Sequence, residues 1–220
     1  MGALKDQKLS AAQMGHNPLM STRRIILASA SPSRKRLLES VGIRPEILVS
    51  GVNEEDPDLL ALKPSEMVIA LAIMKAHTVR NSHPVGDNAL VIGCDSTFEF
   101  EGENLGKPLT AEAAIARAKS MRGKSGYLHT GHSIIDTAQE IEVSDISTSK
   151  VTFVDMTDRE IEEYVATGEP LNVAGGFTLD GLSSPFIAHI DGDPSGIIGL
   201  SLPTLRKMAI NLGLEWGDLL

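Results

Sequence analysis

Arg34, Lys35 and Arg36 stand directly after Ser31-Pro32-Ser33, at the point where the apolar run Ile25-Ile26-Leu27 gives way to a helix-forming stretch. Short β-branched and apolar runs suit a buried strand. Ser31 has the chemistry of a helix N-cap, and Pro32 suits the first helical position, where its missing N–H costs nothing. The free N–H groups of a first helical turn and the positive end of the helix dipole together favour an anion. Arg23 and Arg24 add to the local positive charge, although the chain as a whole carries a formal charge of -9. Taken alone, the stretch reads equally as an ordinary capped surface helix with solvated basic side chains.

Three further groups bear on phosphate chemistry. Glu54, Glu55 and Asp56 form an acidic segment, and Asp95 follows the apolar run Ala89 to Cys94. Carboxylates of this kind are the hard oxygen ligands that Mg²⁺ takes beside a substrate phosphate, and such a cation can activate water. An acid at the end of an apolar strand sits where α/β sheets place ligands. An isolated acidic triplet also reads as a solvated turn. Lys75 and Lys107 offer point charges to a triphosphate. Lys75 alone, on a mostly apolar helix, is explained by snorkelling to the surface.

Other chemistries find no support in the residue pattern. Gly102 to Lys107 has only three residues between its glycines, and Pro108 stands where a phosphate loop needs a hydroxyl. No G-x-G-x-x-G opens a helix, and no G-x-S-x-G elbow is present. His129 and His132 lie three apart in a strand pattern, face opposite sides and cannot share an ion. Cys94, the single cysteine, sits in an apolar run and reads as a small buried hydrophobe.

The elements that must position these groups are mixed. Helices are expected from Pro32 to about Gly42, Pro64 to about Arg80, Thr110 to Met121, Thr157 through Tyr164, and Pro203 to about Leu212. Strands are expected over 25–27, 46–50, 89–94, 127–137, 140–155 and 186–190, with a hairpin over 98–105. This order implies an α/β or α+β fold with a partly antiparallel sheet. The 220 residues, 42% hydrophobic, suffice for one domain. Residues 1–22 are polar and read as a poorly ordered extension, with Met20 as an alternative start, before a single domain over 23–220. The acidic balance argues against a nucleic-acid polymer or a membrane surface as partner, while small nucleotides stay allowed. A cytoplasmic location fits one cysteine and no apolar run of membrane-span length.

In collinear order from about residue 24 to 213, the chain resembles the Maf nucleotide pyrophosphatases. The matching segments are Leu27-Ala28-Ser29-Ala30-Ser31-Pro32-Ser33-Arg34, Val52-Asn53-Glu54, Lys75-Ala76, Gly93-Cys94-Asp95-Ser96 and Gly106-Lys107-Pro108. Thr130-Gly131, Tyr164 to Pro170, Ala174 to Phe177 and Gly199 to Pro203 follow. The resemblance implies an elongated, two-lobed α/β mixed-sheet fold around a central cleft, similar to inosine triphosphate pyrophosphatases and often dimeric. It implies hydrolysis of a nucleoside triphosphate to the monophosphate and pyrophosphate, with a divalent cation (Mg²⁺, Mn²⁺ or Co²⁺). Asp95 would be general base and metal-linked acid, Glu54 the second metal carboxylate, and Ser31, Arg34, Lys75 and Lys107 the phosphate-binding set. Nucleotide-pool cleaning is the implied role; a non-catalytic nucleotide-binding regulator of septum formation is the alternative.

The chain departs from the thymidine and uridine triphosphate enzymes of that family. Ser33 replaces an Arg, Ser96 a Thr, Asp180 a Gln, and Asn172-Val173 stands where an Asp-Lys pair is usual. These positions are where the family tunes base choice. An ionised Asp180 can only accept hydrogen bonds, so it is expected to favour a base presenting donors or positive charge, such as guanine or 7-methylguanine.

Overall fold

The computed structural model describes residues 23–220. The expectations for residues 1–22 lie outside the described residues.

Strand β1 (Arg24–Ala28) leads into α1 (Pro32–Ser40), and β2 follows at Glu46–Ile47. Helix α2 (Pro57–Leu60) precedes the long α3 (Pro64–Ser82). Strand β3 (Ala89–Phe100) turns into β4 (Glu103–Leu105), then α4 (Ala111–Met121), β5 (Ser125–Asp136) and β6 (Ile141–Phe153). Then come α5 (Asp158–Ala166), β7 (Ile187–Asp191), α6 (Pro194–Ile198) and α7 (Leu202–Asn211), followed by a short 3₁₀ turn at Trp216–Leu219. The sheet order is β2-β1-β3-β5-β6-β7, with β4 also on β3. Strands β2, β1 and β3 are mutually parallel and the remaining pairs antiparallel.

Strand β3 joins two lobes. Its first half pairs with β1, from Arg24↔Ala89 to Ala28↔Gly93, and its last residues pair with β4, starting at Phe98↔Leu105. Between these partners, residues 94–97 of that edge are left without a strand, although they remain paired to β5 on the other side. The cleft opens at this notch. At about 3.4 Å per residue, the twelve-residue strands β3 and β5 extend about 40 Å, which makes the sheet long.

Alternation along β3 sorts the core. Leu90, Ile92 and Cys94 pack with Leu38 of α1 and with Leu205 and Met208 of α7, whereas Ala89 and Val91 face Ala76 and Val79 of α3. Gly93 continues the second face, and a Cβ placed on it would lie 2.0 Å from the Ala72 carbonyl oxygen. Gly131 on β5 is equally close to α3, with the Val68 oxygen at 2.3 Å from a Cβ there. Helix α3 therefore lies on a glycine track across the sheet, and Asp95, two residues past Gly93, emerges beside it. The far lobe is organised by Phe98, Phe153 and Phe177, whose rings meet edge to face at centroid distances of 5.0 to 5.9 Å.

Several expected boundaries shift. Strand β2 is only two residues long, and Val49 beyond it is exposed. The Ala89 to Cys94 strand and the first arm of the expected hairpin are one continuous strand, so Asp95 lies inside β3 and not at its end. It still sits just past the last residue paired with parallel β1. The hairpin itself forms as expected, with Glu101 (φ 53°) and Gly102 (φ 86°) both in the left-handed region that a two-residue turn of this type requires. Helix α5 starts where expected, and Thr157 and Glu160 close a capping box at its N-terminus.

Candidate active site

Lys75 is the centre of the site. On α3 it shares the buried face with Met67, Val68, Leu71, Ala72, Ala76 and Val79, and it is 5% exposed. Its Nζ lies 2.6 Å from Asp95 Oδ1 and 2.5 Å from Glu54 Oε1. The snorkelling explanation is thereby corrected: the apolar stem is buried on the sheet and the ammonium ends on two carboxylates, not in solvent. Asp95 is 8% exposed, while the Glu54 side chain is about half exposed.

The two carboxylates differ in acidity. Burial is the largest influence on Asp95 and raises its pKa, against the lowering charges of Lys75 and Arg34. Burial also acts to raise Glu54, but its hydrogen bond to Lys75 and the charges of Lys75, Lys107 and Arg34 bring it below the usual value. One acid is thus a stronger proton acceptor than usual and the other stays ionised. The acidic segment divides accordingly. Glu54 turns to Lys75, whereas Asp56 caps α2 by accepting from the Asp58 N–H, and Glu55 N–H is held by Asn53 Oδ1.

Arg34, in the first turn of α1, is 8% exposed and held by three acceptors. Its Nε donates to the Gly199 carbonyl at 2.7 Å, Nη1 to Ser29 Oγ at 2.9 Å and Nη2 to Ser96 Oγ at 3.0 Å. Thr130 Oγ1 donates to the Gly196 carbonyl at 2.8 Å, so the Ser96 hydroxyl, 2.8 Å from Thr130, donates to it while accepting from Arg34. This chain fixes a buried guanidinium beside Asp95, with N–H groups remaining for a ligand. Ser31 occupies the N-cap position with extended backbone, but its side chain makes no capping bond, contrary to expectation. Its hydroxyl and the first-turn N–H groups of α1 are not committed to each other.

A cleft of about 500 Å³ gathers the residues singled out from the sequence: Ser31, Ser33, Arg34, Glu54, Lys75, Asp95, Ser96, Lys107 and Asp180 all line it. Lys107 enters from the segment after β4, where the Gly106 carbonyl is held by Arg117 and by the Gly175 N–H. Asp180 enters from the loop after Phe177, where Glu169 accepts from the Thr178 hydroxyl at 2.6 Å and from the Leu182 N–H at 3.0 Å. Sequence reasoning missed Ser29, Gly199 and Glu169 as supports, and Arg36 as the partner of Asp180. Ser29 and Gly199 lie inside matched segments and carried that much signal; Arg36, three residues after Ser33 on one helix face, carried a weaker one. His129 and His132 go to separate partners, His129 to Thr148 and Glu99, and His132 to the Ser201 N–H.

Glu54 and Asp95 are oxygen donors of the kind that a divalent cation takes. Two carboxylates converge on one ammonium, so their oxygens stand no farther apart than the two Lys75 contacts allow. Mg²⁺ is commonly held by one or two carboxylates with substrate phosphates supplying the rest. Among the described residues, no group of three or more His, Cys, Asp or Glu side chains converges, so a substrate would have to complete the shell.

Comparison with known proteins places these features in a family. A nucleoside triphosphate pyrophosphatase of Streptomyces coelicolor is 53% identical over 191 residues, covering 87% of this chain and 91% of that protein. One of Trichormus variabilis is 45% identical over 199 residues, covering 90% of this chain and 98% of that protein. The solved Ham1 protein of Staphylococcus aureus aligns at 16% identity and TM-score 0.41, over 60% of this chain and 73% of that one, too partial a likeness to build on. The family model described as Maf-like protein matches residues 24–212. The chain belongs to the Maf-like family.

Proposed function

We propose that the protein is a nucleoside triphosphate pyrophosphatase, which hydrolyses its substrate to the nucleoside monophosphate and pyrophosphate. The observation that carries this reading is the Glu54–Lys75–Asp95 cluster in a cleft of about 500 Å³, with Arg34 and Lys107 among its lining residues. The names of the relatives point the same way.

Arg34, Lys75 and Lys107, with Ser31 and the first turn of α1, bind the triphosphate and neutralise its charge. Asp95 accepts the proton of the attacking water. Its raised pKa makes it a better base than an ordinary carboxylate, and Lys75 holds its Oδ1 so that the other oxygen is left for the water. The water oxygen bonds to the α-phosphorus while the bond from that phosphorus to the bridging oxygen breaks, and pyrophosphate leaves. A divalent cation (Mg²⁺, Mn²⁺ or Co²⁺) held by Glu54 and Asp95 would supply charge neutralisation and polarisation of water. Such a step rests on positioning and charge stabilisation. Nucleotide-pool cleaning in the cytoplasm and assembly as a homodimer belong to the same proposal. Among the described residues, no helix is long and apolar enough to cross a membrane.

The test is turnover of nucleoside triphosphates with a divalent cation in ¹⁸O-labelled water. The label is expected in the monophosphate, with unlabelled pyrophosphate. Label in pyrophosphate, or release of orthophosphate, overturns the reading.

A further inference from the structure

Ser33 and Asp180 line the same cleft but do not join the Lys75 cluster; their hydrogen bonds run to Arg36. One nitrogen, Arg36 Nη2, donates to Ser33 Oγ at 2.9 Å and to Asp180 Oδ2 at 3.2 Å. The contact ties α1 to the loop that Glu169 anchors. Asp180 is among the residues that line the cleft, and its side chain is 32% exposed against 62% for Arg36, so the carboxylate lies on the cleft side of the pair and the guanidinium on the outer side.

An ion pair at 62% and 32% exposure contributes little to stability, which leaves its placement to be explained by what it meets. An isolated carboxylate would only accept hydrogen bonds. Paired with Arg36, it becomes one half of a two-part edge: an acceptor inside and, beside it, the remaining N–H donors of the guanidinium outside. This inference rests on the pyrophosphatase reading, in which the phosphates sit with Arg34, Lys75 and Lys107 and the base is left for the other groups of the cleft.

We propose that the Arg36–Asp180 pair selects the base of the substrate, taking bases with a ring N–H next to an exocyclic carbonyl (guanine, hypoxanthine, uracil, thymine). Asp180 accepts from the ring N–H, and Arg36 donates to the carbonyl oxygen, which projects farther from the ribose and so toward the mouth. Adenine and cytosine present the reverse, an unprotonated ring nitrogen to the carboxylate and an amino group to the guanidinium. Both contacts are then between like groups. Arg36 thus alters what Asp180 would favour alone, and donor-only or positively charged edges lose their advantage.

The experiment compares kcat/KM for two matched pairs, ITP against ATP and UTP against CTP. Within each pair the substrates differ only at this edge. A two-point edge discriminates by roughly 5- to 150-fold, and exposure puts the expected preference for the carbonyl base at about tenfold in both pairs. Arg36→Ala should bring both ratios close to one, and Asp180→Asn, which adds a donor for the ring nitrogen, should move them toward the amino bases. Wild-type ratios near one, or ratios unchanged by Arg36→Ala, overturn the proposal while leaving the pyrophosphatase reading intact. If none of the four is hydrolysed, that reading fails instead. Calorimetric binding of α,β-methylene ITP and α,β-methylene ATP then decides the base proposal: about tenfold tighter binding of the former supports it, and equal affinity overturns it.

Discussion

Replacing Lys75 with Met keeps the stem that packs on the sheet and removes the ammonium that two carboxylates share. Removing one partner of a buried ion pair typically costs about 3–5 kcal/mol, because the other charge is left desolvated. Glu54 is half exposed and can return to water, so the loss falls mainly on Asp95, which is 8% exposed and already has a raised pKa from burial. The lower end of that range, about 3 kcal/mol, is expected near pH 8. For a chain of this length it corresponds to a Tm lower by roughly 6–12 °C.

The pH dependence has a definite sign. Without Lys75 the Asp95 pKa rises further, and the folded state takes up a proton at a pH where the unfolded chain is still ionised. The variant therefore recovers stability relative to wild type as pH falls toward the ordinary carboxylate range. Urea unfolding of both proteins near pH 8 and near pH 5.5 measures the gap at each. A gap below about 1 kcal/mol near pH 8, or one that widens on acidification, would mean that Lys75 does not hold Asp95 in its ionised form.

Two further substitutions test the frame around the site. Gly93→Ala puts a methyl group 2.0 Å from the Ala72 carbonyl and 3.0 Å from the Ala76 nitrogen, so α3 must lift from the sheet. A loss of about 3 kcal/mol is expected in denaturant unfolding, against a change within about 0.5 kcal/mol for Gly217→Ala, which has nothing within 4 Å. His132 is buried, and burial first and then the charge of Arg34 push its pKa down to about 4. It stays neutral in the fold while the unfolded chain takes up a proton near pH 6.5, so stability is lost as pH falls from about 6.5 toward 4. His132→Gln, which keeps an acceptor for the Ser201 N–H, should lose about 3 kcal/mol less than wild type across that interval; parallel stability curves would contradict this.

How far the sequence reached can be seen at particular residues. The strand-to-helix junction at Ser31-Pro32 and the helix starts after Thr110 and Thr157 rest on local chemistry and were legible at the right positions; the hairpin over 98–105 was legible too, though not the place of its two-residue turn. Strand β3 was read as two pieces because Asp95 and Ser96 interrupt the apolar run. Their polarity is tolerated because they sit at the notch between β1 and β4, which is a property of pairing partners far away in sequence. Lys75 shows the same limit. Helical spacing places it on the buried face, but nothing local says that acids 20 and 21 residues away, on either side, will meet it. The Ser31 position was legible while its hydrogen bonding was not, since capping depends on a rotamer. Arg36 was read only as part of a basic cluster, because its contact with Asp180 closes across 144 residues.

In the proposed reaction Asp95 accepts the proton of the attacking water, and Asp95→Asn removes that base. Asn keeps the shape and an oxygen for Lys75 but is no base at neutral pH. General-base catalysis is worth about 10²–10⁴-fold, and pyrophosphate release should fall by that much while α,β-methylene triphosphate still binds. Turnover within tenfold of wild type, with binding intact, would contradict the account.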